Sequence, residues 1–452
     1  MNFSTLPLSA EMLTTLDALG YSSMTPIQAQ ALPPIIEGKD VIAQAKTGSG
    51  KTAAFGIGLL NKLDVKKFRV QSLVLCPTRE LADQVAKELR RIARFKHNIK
   101  ILILCGGESF GKQLGSLEHQ AHIIVGTPGR VLKHLNKESL DLSNLETLVL
   151  DEADRMLDMG FIEEIEAVLE FAPKERQTLL FSATYDNEII AISQRLQKNA
   201  VSVKTVSTET PNKITELFYE TKDKTRTLIN IFSEYSPENV IVFTNTKQEA
   251  KDLAQSLQDS KIDALAIHGD LEQYERNDVL VQFSNKSCPV LVATDVAARG
   301  LDIKELSMVV NFDIPFGGET YVHRIGRTAR AGADGIAITL YDAYESDKAR
   351  EYENETRVFQ NADELKLTIG FEMKPRYVTL VIEGGKKDKI RAGDLLGALT
   401  GDAGLSGDSI GKIDIYDRQS YVAIKRALID EARSKLDKGK IKGKRFAVWI
   451  LK

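Results

Sequence analysis

Apolar residues in this chain gather in short continuous runs, and the stretches between them repeat apolar positions at helical spacing. In the amino-terminal 205 residues the runs are 40–43, Ser72–Cys76, Lys100–Cys105, His122–Val125, Thr147–Leu150 and Thr178–Phe181. Amphipathic patterns such as Ala53–Leu63, Glu80–Ile92 and Arg130–Leu135 follow three of them. Short apolar runs bounded by turn residues read as strands buried on both faces. Strands alternating with helices imply a parallel sheet covered on both sides. Residues 212–368 repeat the plan with Val240–Phe243, Ala264–Ile267, Val290–Ala293, Met308–Phe312 and Gly335–Leu340. The polar stretch Thr205–Asn212 reads as a linker, and a second break falls near Ile369–Pro375. Beyond it the pattern predicts a β-α-β-β-α-β order. The strands are Tyr377–Glu383, Ile410–Tyr416, Tyr421–Arg426 and Arg445–Leu451, and the helices Arg391–Thr400 and Leu428–Lys438. The expected architecture is α/β: two tandem parallel-sheet domains, 1–205 and 212–368, then a small α+β domain, 374–452.

In the first domain polar clusters directly follow the strands. They are Ala45–Thr52, Pro77–Glu80, Gly106-Gly107, Gly126–Arg130, Asp151–Asp154 and Ser182–Thr184. A parallel sheet gathers its strand C-termini at one edge, where ligands bind, so these distant clusters should converge. The stretch Ala45-Lys46-Thr47-Gly48-Ser49-Gly50-Lys51-Thr52 fits a phosphate-binding loop between a strand and a helix. Gly48 and Gly50 let the backbone curl so that successive N–H groups form an anion-binding nest. The helix that follows adds its positive end. Lys51 is expected to reach the outer phosphates and Thr52 to hold a magnesium ion. Asp151 is the candidate magnesium partner, held partly through water, and Glu152 the candidate for polarising the attacking water.

Composition narrows the class. The 452 residues are 43% hydrophobic and 27% charged, as in globular proteins. No apolar run is long enough to span a membrane, and the start lacks a secretory pattern. Cys76, Cys105 and Cys288 form no close pair, which suits a reducing cytosol and argues against disulfides or zinc. A cytoplasmic location is expected. The net charge of −3 hides an asymmetry. Residues 374–452 carry 18 Lys and Arg against 10 Asp and Glu, a net of +8, on a body whose net is −11. A basic module of this kind points to a polyanionic partner.

With these motifs in order, residues 1–368 resemble the DEAD-box RNA helicases. The resemblance rests on Phe3 with Gly20–Gln28, AKTGSGKT at 45–52, PTREL at 77–81, TPGR at 127–130, DEAD at 151–154 and SAT at 182–184. It continues with FTNT at 243–246, QYER at 273–276, ATDVAARGLD at 293–302 and HRIGRTAR at 323–330. Ala329 stands where this family usually has Gly. The resemblance implies RecA-like domains, with ATP and Mg2+ as cofactors. Gln28 would read the adenine edge, supported by Thr25, with Phe3 over the base and Asp302 at the ribose. Thr47, Gly48, Ser49, Gly50, Lys51 and Thr52 would hold the phosphates. Arg327 and Arg330 would act as arginine fingers. Asp154, Ser182, Thr184 and His323 would couple hydrolysis to RNA. The implied RNA-backbone contacts are Pro77, Thr78, Arg79, Gly107, Thr127 and Arg130 in the first domain, and Thr244, Asn245, Arg276 and Thr294 in the second. ATP and RNA together would close the domains and separate short duplexes.

The last 79 residues resemble the RNA-recognition-type domain (RRM-like) of the DbpA subgroup. That implies binding to a hairpin of large-subunit ribosomal RNA, on a large-subunit precursor and as a monomer. Stacking rings are sparse where such a domain usually displays them. Thr379 and Gln419 occupy those places, with Tyr421 the clear ring. The binding face is therefore expected elsewhere, with Lys440, Lys442 and Lys444 in KGKIKGKR as candidates. Alternatives in view are an ATP-gated RNA clamp with negligible unwinding and a DNA helicase.

Overall fold

The computed structural model describes residues 1–45, 48–185, 187–205, 214–298, 306–329, 334–365, 370–402 and 404–451. The apolar runs become strands of three sheets. The first sheet holds β1 (Val41–Gln44), β2 (Ser72–Leu75), β3 (Ile101–Leu104), β4 (Ile123–Gly126), β5 (Thr147–Asp151), β6 (Gln177–Ser182) and β7 (Val201–Lys204). Their order is β3-β4-β2-β5-β6-β1-β7, parallel throughout. Strands β2, β4, β5 and β6 are buried at every position, which is why they read as unbroken apolar runs. Successive residues feed opposite cores: Val74 one, Leu73 and Leu75 the other.

The second sheet repeats this with β8 (Ile214–Glu220), β9 (Val240–Thr244), β10 (Ala264–Ile267), β11 (Val290–Thr294), β12 (Met308–Asn311), β13 (Gly335–Tyr341) and β14 (Val358–Asn361). The order is β10-β11-β9-β12-β13-β8-β14, again parallel. The third sheet is antiparallel, β16-β17-β15-β18, built from β15 (Tyr377–Ile382), β16 (Ile410–Ile415), β17 (Ser420–Lys425) and β18 (Val448–Ile450). Helices Ala392–Gly397 and Ile429–Lys438 cover one of its faces through Leu395, Ala432 and Leu436 against Leu380, Ile382, Val422 and Ile424. The sequence reading missed β7, β8 and β14, and the last strand is shorter than expected.

The described residues divide into two compact units, one on the first sheet and one containing the second and third sheets. Within the second unit the other face of the third sheet is covered too. Helix Gln273–Ser284 lies on it, with Val281 clustered against Val381 and Tyr421. Tyr421 Oη donates to Asp278 Oδ1 at 2.9 Å, and Asn285 Nδ2 to Thr379 Oγ1 at 2.9 Å. Lys412 Nζ donates to Ser284 Oγ at 3.1 Å, and Arg426 pairs with Asp263 at 2.9 Å. Thr379, Val381, Tyr421 and Ala423 are consequently buried, although none points toward the helices of its own module.

Candidate nucleotide site and RNA-contact residues

Strands β5, β6 and β1 are neighbours, so the clusters that follow them meet. Gln44 is in register with Ser182, and Ala45 N–H donates to Ser182 O at 2.9 Å. Gly48 and Gly50 adopt φ of 85° and 95°, the left-handed region open to glycine. A Cβ on Gly50 would sit 2.6 Å from Gln28 Nε2 and 3.0 Å from Thr25 Oγ1. The Thr25 turn is thus pressed against the loop. Thr25 N–H donates to Gln28 Oε1 at 2.9 Å, and Gln28 Nε2 donates to Gly50 O at 3.2 Å. That leaves the amide one N–H and one lone pair for a further partner. Phe3 is buried in the core, its ring edge-on to Tyr21.

Helix Lys51–Lys62 starts at the loop, as the strand–turn–helix context requires. Lys51 is 6% exposed, and its Nζ has no hydrogen-bond partner among the described residues; neither do the buried Ser49 Oγ and Thr25 Oγ1. A buried ammonium without a partner is costly, and an anion seated in the loop would relieve that cost. The residues present therefore fit a polyphosphate.

Asp151 ends β5 and is 3% exposed. Burial pushes its carboxyl up to about 6, against the pull of Lys51 and with the repulsion of Glu152. A divalent cation would favour its ionised form, so the carboxylate fits a magnesium partner as well. Glu152 takes φ 54°, which turns the chain from strand into helix Ala153–Asp158. Its Oε2 accepts from Arg155 Nη1 at 2.8 Å, both side chains being buried. Asp154 Oδ2 accepts from Ala183 N–H at 2.9 Å and Thr184 N–H at 3.1 Å. Thr184 N–H also lies 3.3 Å from Ser182 Oγ. The acidic cluster and the Ser182–Thr184 turn are therefore physically joined.

Strands β2, β4 and β3 carry a second group along the same edge. Thr78 follows β2 and caps helix Arg79–Ile92, its Oγ1 accepting from Leu81 N–H at 3.3 Å. Arg79 lies against Gly107, whose φ is 73°. A Cβ there would fall 1.8 Å from Arg79 Nη1, so any other residue would push that guanidinium aside and strain the left-handed backbone. Thr127 precedes helix Pro128–Asn136, and Arg130 Nη1 donates to Gln113 Oε1 at 2.8 Å and Glu108 O at 3.2 Å. Gln113 Oε1 also accepts from His134 Nε2 at 3.0 Å, and His134 stacks on Phe110 with centroids 4.2 Å apart. Gln113 and His134 escaped the sequence reading, because nothing in their spacing marks them.

In the second unit, Thr244 and Thr294 end the adjacent strands β9 and β11, in register with each other. Asn245 N–H donates to Asp313 Oδ2 at 2.9 Å, and Arg276 Nη2 to Ala297 O at 2.6 Å. Arg324, also missed, is the hub. It is 1% exposed and donates to both Asp295 oxygens at 2.7 and 2.6 Å, to Asp313 O at 2.9 Å and to Asn245 Oδ1 at 3.0 Å. Arg327 is buried just beyond helix Gly318–Ile325, which carries His323. Ala329 has φ 55°, a conformation glycine reaches without strain. Thr47, Asp302 and Arg330 lie outside the described residues.

Residues 25–192 match the DEAD/DEAH box helicase family, 223–332 the helicase conserved C-terminal domain and 379–450 the DbpA RNA binding domain. The chain is 52% identical to the ATP-dependent RNA helicase DbpA of Escherichia coli, over 100% of this chain and 99% of that one. It belongs to the DEAD-box ATP-dependent RNA helicases. The helicase is also 47% identical to CshA of Bacillus cereus over 78% of this chain and 68% of that one. Yeast Dbp5, bound to RNA and ADP BeF3, aligns with TM-score 0.72 and 31% identity over 80% of this chain and 96% of that one. The helicase is thus an ATP-hydrolysing enzyme that binds RNA and carries a DbpA-type RNA-binding domain.

In that last domain Tyr421, read as the clear ring, is bonded to Asp278 and only 6% exposed. It is not a free platform. Trp449, on β18 opposite Val381, is an exposed ring that the sequence reading missed. Lys440, Lys442 and Lys444 are exposed, with Lys442 Nζ bonded to Lys389 O at 2.9 Å.

Proposed function

We propose that this helicase couples RNA-stimulated ATP hydrolysis to local separation of short duplexes in large-subunit ribosomal RNA, as a cytoplasmic monomer acting in ribosome assembly. The observation that carries the reading is the buried Lys51 ammonium, without a hydrogen-bond partner among the described residues, on the same sheet edge as Asp151 and Glu152. In this reading the loop Thr47–Thr52 holds the phosphates, Gln28 selects adenine with its spare N–H and lone pair, and Asp302 contacts the ribose. Glu152, its carboxylate fixed by Arg155, orients and deprotonates the attacking water. Arg327 and Arg330 offset charge on the transferring phosphoryl group. Thr52 and Asp151 would hold magnesium, which would supply positive charge beside the phosphates. The Asp154 bonds to Ala183 and Thr184 pass the state of the acidic cluster to the RNA-contact residues, with His323 serving the second domain.

We further assign the division 1–205, 212–368 and 374–452 to two motor domains and one RNA-anchoring domain. The core residues Pro77, Thr78, Arg79, Gly107, Thr127, Arg130, Thr244, Asn245, Arg276 and Thr294 contact backbone and so choose no sequence. The test compares ATPase stimulation by ribosomal RNA, unrelated RNA and DNA, alongside displacement of a short RNA duplex. Equal stimulation by DNA would support a DNA helicase. ATPase without displacement would support a clamp.

A further inference from the structure

The closed sheet face of the carboxyl-terminal module moves the question of RNA binding to its ends. At one end three segments come together: 383–391 after β15, 416–419 between β16 and β17, and 438–447 before β18. Lys386 N–H donates to Tyr416 O at 2.8 Å, and Lys387 N–H to Asp417 O at 2.9 Å. Glu383 N–H donates to Ala447 O at 2.9 Å, and Lys442 Nζ to Lys389 O at 2.9 Å. Two glycines permit this closeness. A Cβ on Gly384 would lie 2.6 Å from the Phe446 ring, and one on Gly385 2.3 Å from Tyr416 O. The backbone is therefore built to hold these loops as one surface.

The chemistry of that surface is one-sided. The three segments carry ten Lys and Arg, all exposed, against three Asp and Glu. That net of +7 is nearly all of the module's +8. Like charges held this close repel and destabilise the fold, unless a polyanion neutralises them. Two rings border the same end. Tyr416 is 39% exposed and meets Tyr421 edge-on at 5.5 Å. Trp449 is 36% exposed; it and Tyr421 flank Val381 on one face. They form the rim of the sheet face that helix Gln273–Ser284 leaves uncovered.

We infer that the helicase grips an unpaired RNA segment at this loop end, with bases stacked on Tyr416 and Trp449 and the flanking phosphates held by the lysines of the three loops. Every base has a face that can stack on a ring, and stacking needs the base to be unpaired. The ligand class is thus a loop or bulge flanked by duplex, rather than a continuous helix. This rests on the reading that the module anchors ribosomal RNA.

Trp449 is the single tryptophan in the chain, so its emission reports this surface alone. Full-length protein is titrated with purified bacterial large-subunit ribosomal RNA without nucleotide, following emission corrected with free tryptophan amide. Filter binding is measured in parallel. The expected result is quenching that saturates together with binding. Trp449→Ala and Tyr416→Leu should each raise the half-saturating RNA concentration roughly tenfold. Trp449→Phe should keep most of the affinity, which separates stacking from misfolding. Lys386→Gln with Lys387→Gln should lower the slope of log affinity against log salt by about one to two. RNA binding with unchanged Trp449 emission, or charge variants with wild-type affinity and slope, would overturn this surface alone. No RNA binding at all would overturn the surface and the reading beneath it.

Discussion

At the residue scale, the nucleotide site rests on side chains whose type and place on the sheet edge define their chemistry. Lys51, Asp151 and Glu152 are examples: a loop lysine and two acids ending a strand have few other uses, and the fold sets their strands, β1 and β5, on either side of β6. Arg324 was not legible as a hub, since its partners at 245, 295 and 313 meet only through the parallel register. Glu152→Gln keeps an oxygen for Arg155 but removes the base. ATP affinity should stay near wild type, and turnover should fall about 10²- to 10⁴-fold, as single-turnover hydrolysis would show. Wild-type turnover in that variant would remove Glu152 from the reaction. His134 yields a prediction on stability. Burial, then the cations Arg130 and Lys133, hold its pKa down at about 4. The folded state keeps the imidazole neutral, while the unfolded chain takes up a proton below about 6.5. This contribution to stability is full above pH 6.5 and is lost as pH falls toward 4. Urea unfolding of the first unit should therefore show a midpoint that drops across that window, and His134→Gln should flatten the drop. An equal drop in the variant would assign it to other groups.

Elements were legible in proportion to their burial. Strands such as β2 and β9, buried at every position, stand out as apolar runs. The missed β14 is a short edge strand with no fully buried residue, and the missed β8 mixes exposed and buried positions. The helix Gln273–Ser284 shows what periodicity cannot supply. It sends Arg276 to Ala297 while Asp278 and Val281 dock the carboxyl-terminal module. Tyr421 is the clear ring where the resembled domain displays rings, and alternation along β17 does point it away from the module's own helices. Only the tertiary packing reveals a second covering layer. Tyr421→Phe removes the hydroxyl from Asp278, a carboxylate whose pKa burial already raises. The loss should cost about 1–2 kcal/mol at the seam. Hydrogen exchange should quicken in β17 and in the helix Gln273–Ser284, and not in the first sheet. Unchanged exchange at both seam elements would mean that this bond does not hold the module.

For the whole molecule, the charge asymmetry separates a basic module from an acidic body, and the break near Ile369–Pro375 reads as a short connection between them. A flexible tether would raise the local RNA concentration to roughly millimolar without fixing any orientation. The structure gives the module a packed seat on the second motor domain instead, with buried Thr379, Val381 and Tyr421 at its centre. Met373 belongs to that motor domain, pairing with Ile262 and buried in its core, so a clean truncation ends at Pro375. Residues 1–375 should hydrolyse ATP with high concentrations of any single-stranded RNA and lose the response to low concentrations of ribosomal RNA. A second variant separates anchoring from seating. Val281→Asp places a charge against Val381 and Tyr421 and should unseat the module while leaving it attached. If seating aims the motor at a duplex beside the anchor, half-saturating ribosomal RNA should stay within about threefold of wild type, since the loop-end surface is intact. Displacement of a strand next to the anchoring site should fall about tenfold, the sort of loss expected when a positioned encounter becomes an unpositioned one. Displacement assays on a ribosomal RNA fragment with an adjoining duplex measure both quantities. Equal displacement by the unseated and wild-type chains would show that attachment alone suffices and that the seam has no part in directing the motor.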